Sequence, residues 1–124
     1  QARGLDTFNA QAKADIFLHE GLLDDAIAVA DAASYQRELV EQVADAVVAS
    51  HPDWVIRTAR ARAHAIIESG SSGEYEAAAR WLARWRDASR EVGREREWRA
   101  YLDDVLNRHR RKYKLIPLLR DLAD

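Results

Sequence analysis

"ADIFLHEGLLDDAIAVADAA", residues 14–33, reads as two helices joined at a glycine, and that reading decides the fold. Phe8, Ala12, Ile16 and Leu18 recur near helical spacing until "EGLLDD" interrupts them. Gly21 can take the left-handed conformation that closes a helix. Asp24 and Asp25 then fall in the first turn of the next helix, where carboxylates meet the positive end of the dipole. Leu23, Ala26, Ile27 and Ala30 supply its buried stripe.

Outward from this unit the same logic repeats. A third helix is expected over residues 35–49, with Leu39, Val40, Val43, Val47 and Val48 on its apolar side. "SHPDW" marks the next boundary, because Pro52 suits a first helical position that has no partner for an N–H. The helix that follows, to residue 69, carries Val55, Ala59, Ala63 and Ile66 inward, and "SGSSG" at 69–73 is a loop. Residues 74–92 form a fifth helix, with Tyr75, Ala78, Leu82, Trp85 and Val92 buried and Gly93 as its stop. A sixth covers 95–111, and a seventh, with Pro117 near its start, covers 115–122. Short connections imply antiparallel neighbours, and alanine-rich centres such as "VIRTARARAHAII" and "YEAAARWLARW" let helices approach closely. The expected fold is all-α: about seven helices in one domain spanning residues 1–124, paired as antiparallel hairpins and stacked as a short tetratricopeptide-like superhelix.

Composition narrows the function. Of the 124 residues 48% are hydrophobic and 32% charged, a globular balance rather than a disordered one. No cysteine is present, which removes disulfides, thiolate zinc sites and thiol redox chemistry from this chain and fits a cytoplasmic setting. No apolar run reaches the roughly 18 residues a membrane span needs. Methionine is absent even at position 1, so a fragment of a longer protein is expected. Charge is uneven: residues 1–56 hold three cations and ten carboxylates, net −7, and residues 57–124 hold sixteen cations and eleven carboxylates, net +5. Such halves suit internal complementarity, a charged binding surface or salt-sensitive self-association.

Two stretches together resemble a known family. "ADIFLHEGLLDDAIAVADAA" looks like a tetratricopeptide-like helical pair. "YEAAARWLARWRDASREVGREREWRAYLDDVLNRHRRKYKLIPLLRDL" is similar to the C-terminal helical region of SWIM zinc finger family proteins. The residues that carry it are Tyr75 and Ala77 to Ala79, then Trp98, Tyr101, Leu102, Leu106 and His109 to Lys112, then Leu115, Leu118 and Leu119. The resemblance covers residues 14–122 and implies a helical scaffold that presents a surface to other macromolecules. The family's zinc site uses three cysteines and a histidine, so it is not built from this chain.

Three groups of residues could carry function. On the sixth helix, Trp98, Leu102, Val105, Leu106, His109 and Tyr113 mark an apolar face opposite Arg108, Arg111 and Lys112. Those cations read first as a solvated helix end facing the negative pole of the dipole. A nucleic-acid contact would need a positive stripe across several elements, which only Arg57, Arg60 and His64 could extend. No apolar face with exposed aromatics lies beside them for membrane adhesion. Trp81 and Trp85 sit one turn apart among arginines. Trp85 belongs to the core stripe, and Trp81 stands at its margin as a candidate for exposure. His64 and Glu68 could form an i,i+4 pair but offer no third ligand for a metal. No GxSxG, phosphate loop or converging carboxylate pair points to catalysis, and no cofactor is expected. The expectation is a non-catalytic scaffold for an unidentified protein or peptide, using Arg57, Arg60 and His64 first, with Trp81, Arg108, Arg111 and Lys112. Nucleic-acid binding through the arginine-rich half is the alternative.

Overall fold

The computed structural model describes the backbone of residues 2–123 and the side chains of residues 9–123. Every regular element among them is helical: α1 (Ala2–Glu20), α2 (Leu23–Ala32), α3 (Arg37–Val47), α4 (Pro52–Ser69), α5 (Tyr75–Val92), α6 (Glu95–Arg108) and α7 (Ile116–Ala123), with a 3-10 turn at Ser72–Glu74. The chain is all-α. It divides into two compact units, Gln1–Val47 and Val48–Asp124.

In the first unit α1 packs against both α2 and α3, and α2 against α3. Gly21, at φ +74°, ends α1. There the N–H of Leu22 donates to the Phe17 carbonyl at 2.8 Å and that of Gly21 to Leu18 at 3.2 Å, so two carbonyls that the helix leaves open are satisfied. Ala14, Ala26 and Ala30 are buried, small enough for backbones to come close. The buried line of α1 is therefore not the expected one. Ala14 lies in the core, Ala12 and Leu18 are half-buried, and Ile16 is 59% exposed. Two residues turn a helix by about 200°, so choosing Ala14 sends Ile16 outward. The side chain of Phe8 lies outside the described residues. Across the α1–α3 contact, Gln11 Nε2 donates to Gln42 Oε1 at 2.8 Å, and both amides donate to Asp15 Oδ1 at 2.9 Å.

In the second unit α4 and α5 form the longest hairpin, and α5 packs on α4, α6 and α7 together. Ala59, Ala63, Ala78 and Ala88 are fully buried. Ile67 takes the core position expected of Ile66, which is only half-buried. Val92, the last residue of α5, is 40% exposed rather than part of the stripe, and Ala88 and Ser89 occupy the interior there instead. Trp98 anchors α6. Its ring is 0% exposed and its Nε1 donates to the Leu82 carbonyl of α5 at 2.8 Å. Leu102 and Val105 continue the buried face, and Leu115, Ile116 and Leu119 close it from the last segment. Because α6 stops at Arg108, Tyr113 lies beyond its apolar face and is 83% exposed.

Two substitutions test this packing in urea unfolding. Trp98→Phe removes the buried donor and part of the ring, and should cost about 2 kcal/mol. The hydroxyl of Ser89 is fully buried without a hydrogen-bond partner. Ser89→Ala should therefore stabilise the protein by about 1 kcal/mol, since an unpaired buried hydroxyl carries a desolvation penalty.

Candidate binding site

Positions i, i+3 and i+7 lie along one side of a helix, and on α4 these are Arg57, Arg60 and His64. Their side chains are exposed. α6 adds Tyr101, and with Ala61 these residues line a surface hollow of about 400 Å³. His64 Nδ1 lies 3.1 Å from the Tyr101 hydroxyl, with the two ring centroids 6.1 Å apart. Burial, the largest influence on it, pushes the Tyr101 phenol upward, so the hydroxyl keeps its proton and can donate to Nδ1. Trp85 supports the hollow from the core. Its ring stands 4.9 Å from that of Tyr101, and the Arg60 guanidinium lies over it at 5.8 Å. No carboxylate lines the space, and Arg57 makes no ion pair among the described residues. The hollow thus offers two guanidiniums and an imidazole around an aromatic wall, a setting for an anionic group attached to an apolar one.

The other candidates fall elsewhere. Trp81 is not surface: it is 3% exposed, with the guanidiniums of Arg84 and Arg62 over its ring at 4.7 and 5.6 Å. Those two arginines shield the ring that marginal spacing suggested would be open. Arg108 and Lys112 are engaged within the fold, not free on a solvated face. Lys112 Nζ donates to the Ile67 carbonyl at 3.0 Å, neutralising the C-terminal end of α4. Arg108 bonds Asp104 at 2.7 Å and Glu68 at 3.2 Å, and His109 Nε2 stands 3.2 Å from the same Glu68 oxygen. Glu68 is thereby committed to α6 and its end, and the expected pair with His64 does not form. Arg111 remains exposed beside Asn107 and Arg110 in a second hollow of about 420 Å³.

Other cations are spent in the same way. Arg86 Nη1 and Arg99 Nη1 reach the Leu122 and Ala123 carbonyls, each at 3.4 Å, and both guanidiniums lie over the Trp98 ring at 6.0 and 5.8 Å. Arg94 pairs with Glu97 at 3.0 Å and Asp53 at 3.5 Å. Among the described residues no group of three His, Asp or Glu could hold a metal ion, and no helix is long and apolar enough to cross a membrane. Sequence reasoning did not bring Tyr101 to the hollow. Its place three residues after Trp98 and beside Leu102, on the flank of the buried face of α6, is the signal that could have done so.

The Glu68 carboxyl is held below the usual carboxylate range, first by its bond with His109 and then by Arg108. A depressed carboxyl stabilises the fold above its unfolded value of about 4.3 and loses that contribution as pH falls through the folded value. Glu68→Gln should therefore flatten the acid limb of stability between about pH 5 and pH 3, checked by thermal melts across that window. Lys112→Met, which keeps the stem but removes the charge at the end of α4, should cost about 1 kcal/mol in urea unfolding.

No family model, curated protein or solved structure matches this chain.

Proposed function

We propose that this chain is a non-catalytic scaffold of tetratricopeptide-like helical hairpins that binds a protein or peptide, with the α4–α6 hollow as its recognition site. The observation that carries this reading is the gathering of Arg57, Arg60 and His64 around Tyr101 with no acid in the lining. Three unopposed donors beside an aromatic wall suit a peptide better than a polyanion. A nucleic-acid surface needs a continuous positive stripe, whereas Arg108 and Lys112 are turned to internal partners. The absence of cysteine fits a cytoplasmic setting for such a scaffold. In the same proposal, residues 14–122, which resemble the C-terminal region of SWIM zinc finger family proteins, would serve as the scaffold part of such a protein. A CxC…CxH segment encoded upstream is the expected finding, and its absence removes that family from the proposal.

Binding measurements decide between partner classes. The full chain should capture members of a peptide array, and Arg57→Glu/Arg60→Glu should abolish most of that capture while leaving the circular dichroism spectrum unchanged. Single-stranded and duplex oligonucleotides should bind weakly or not at all at low salt. Tight oligonucleotide binding that collapses between about 50 and 200 mM salt would instead establish the nucleic-acid reading.

A further inference from the structure

The dimensions of the hollow restrict what it can accept. Along α4 the midpoint of Arg57 and Arg60 stands between five and six residues before His64, about 8 Å at 1.5 Å per residue. Tyr101 meets the chain at the His64 end, through the 3.1 Å contact. Along α4 the hollow thus runs from the Arg57 and Arg60 positions to the His64 position beside Tyr101, a backbone rise of that length. In an extended peptide, side chains two residues apart project to the same side and stand about 7 Å apart. The two spacings agree.

We infer that the hollow binds an extended peptide segment carrying a carboxylate side chain, seated between Arg57 and Arg60, and a large apolar or aromatic side chain two positions away, seated against Tyr101. The inference rests on the scaffold reading above and names the partner chemistry for it. The Arg60 guanidinium lies over the Trp85 ring at 5.8 Å, and its planar fork of N–H donors can form paired, in-plane bonds. A planar carboxylate matches that fork. The two guanidiniums concentrate positive charge at this end. At the other, the Tyr101 phenol lies in the field of Arg108 together with Glu68 and Asp104, charges already paired with one another. Among the described residues Arg57 has no ion pair to give up before it engages a ligand.

Selection of a random heptapeptide library on the full chain tests this, followed by anisotropy of the selected peptides in labelled form. Enriched sequences should contain Asp or Glu two positions from Phe, Tyr, Trp, Leu or Ile, in either chain direction. Replacing that acid by its amide, or moving it next to the apolar residue, should weaken binding about tenfold, the effect of one lost charge-assisted contact. Arg57→Ala/Arg60→Ala should weaken it at least as much, and Arg57→Lys/Arg60→Lys should restore only part, because the charge returns without the planar fork. Both variants alter exposed side chains, and unchanged thermal melts confirm that they fold. Binders that depend on Arg57 and Arg60 but contain phosphate-like, basic or purely apolar motifs would overturn the inference and leave the scaffold reading standing. A selection in which no binder responds to the arginine variants would overturn both.

Discussion

The indole of Trp98 is the fixed point of the second helical unit. It is wholly buried, yet its one polar atom finds the Leu82 carbonyl on the neighbouring helix, so a large apolar surface is removed from water without stranding a donor. That bond sets both the depth and the rotation of α6 on α5. Once α6 is placed, Leu102 and Val105 must face inward and Tyr101 must fall on the flank, toward α4. α5 also packs on α4, where both helices carry fully buried alanines small enough to permit close approach and Arg60 and Arg62 of α4 lie over Trp85 and Trp81. The Trp98 bond to α5 and the packing of α5 on α4 together place Tyr101 beside His64, where the hollow opens.

The excess of positive charge in residues 57–124 has a largely internal explanation. Helix ends leave carbonyls without partners, and in this unit long cationic side chains reach them: Lys112 at the end of α4, Arg86 and Arg99 at the end of α7. The same arginines cover tryptophan faces, where their stems and planar groups pack as well as carry charge. Arginine serves both purposes at once, which accounts for its supplying sixteen of the nineteen cations. Arg57 and Arg60 differ from these in meeting no helix end and no carboxylate among the described residues.

Local chemistry was readable from the sequence. Gly21, Pro52 and Gly93 mark helix boundaries because backbone conformation there depends on the residue itself. The i, i+3, i+7 spacing likewise places Arg57, Arg60 and His64 on one face without reference to anything else. Rotational phase was less accessible. Ile16, Ile66 and Val92 carry the same apolar character as the residues that are buried, and only the position of the packing partner decides which of two neighbours turns inward. Contacts across long stretches of chain were out of reach: Tyr101 meets His64 over 37 positions, Arg108 meets Glu68 over 40, and Lys112 meets Ile67 over 45. A helix wheel treats each such cation as solvated, whereas the folded chain gives it a partner. Trp81 shows the same limit, since its arginine cover comes partly from α4.

The placement of Trp85 has an optical consequence. It is the tryptophan in ring contact with two residues of the hollow, Tyr101 and Arg60, while Trp81 and Trp98 are sealed beneath other arginines. Any occupant that draws the Arg60 guanidinium off the indole, or shifts the phenol beside it, alters the quenching and polarity felt by that single fluorophore. The protein thus carries a built-in emission signal for occupancy, set against the emission of indoles that do not touch the hollow residues.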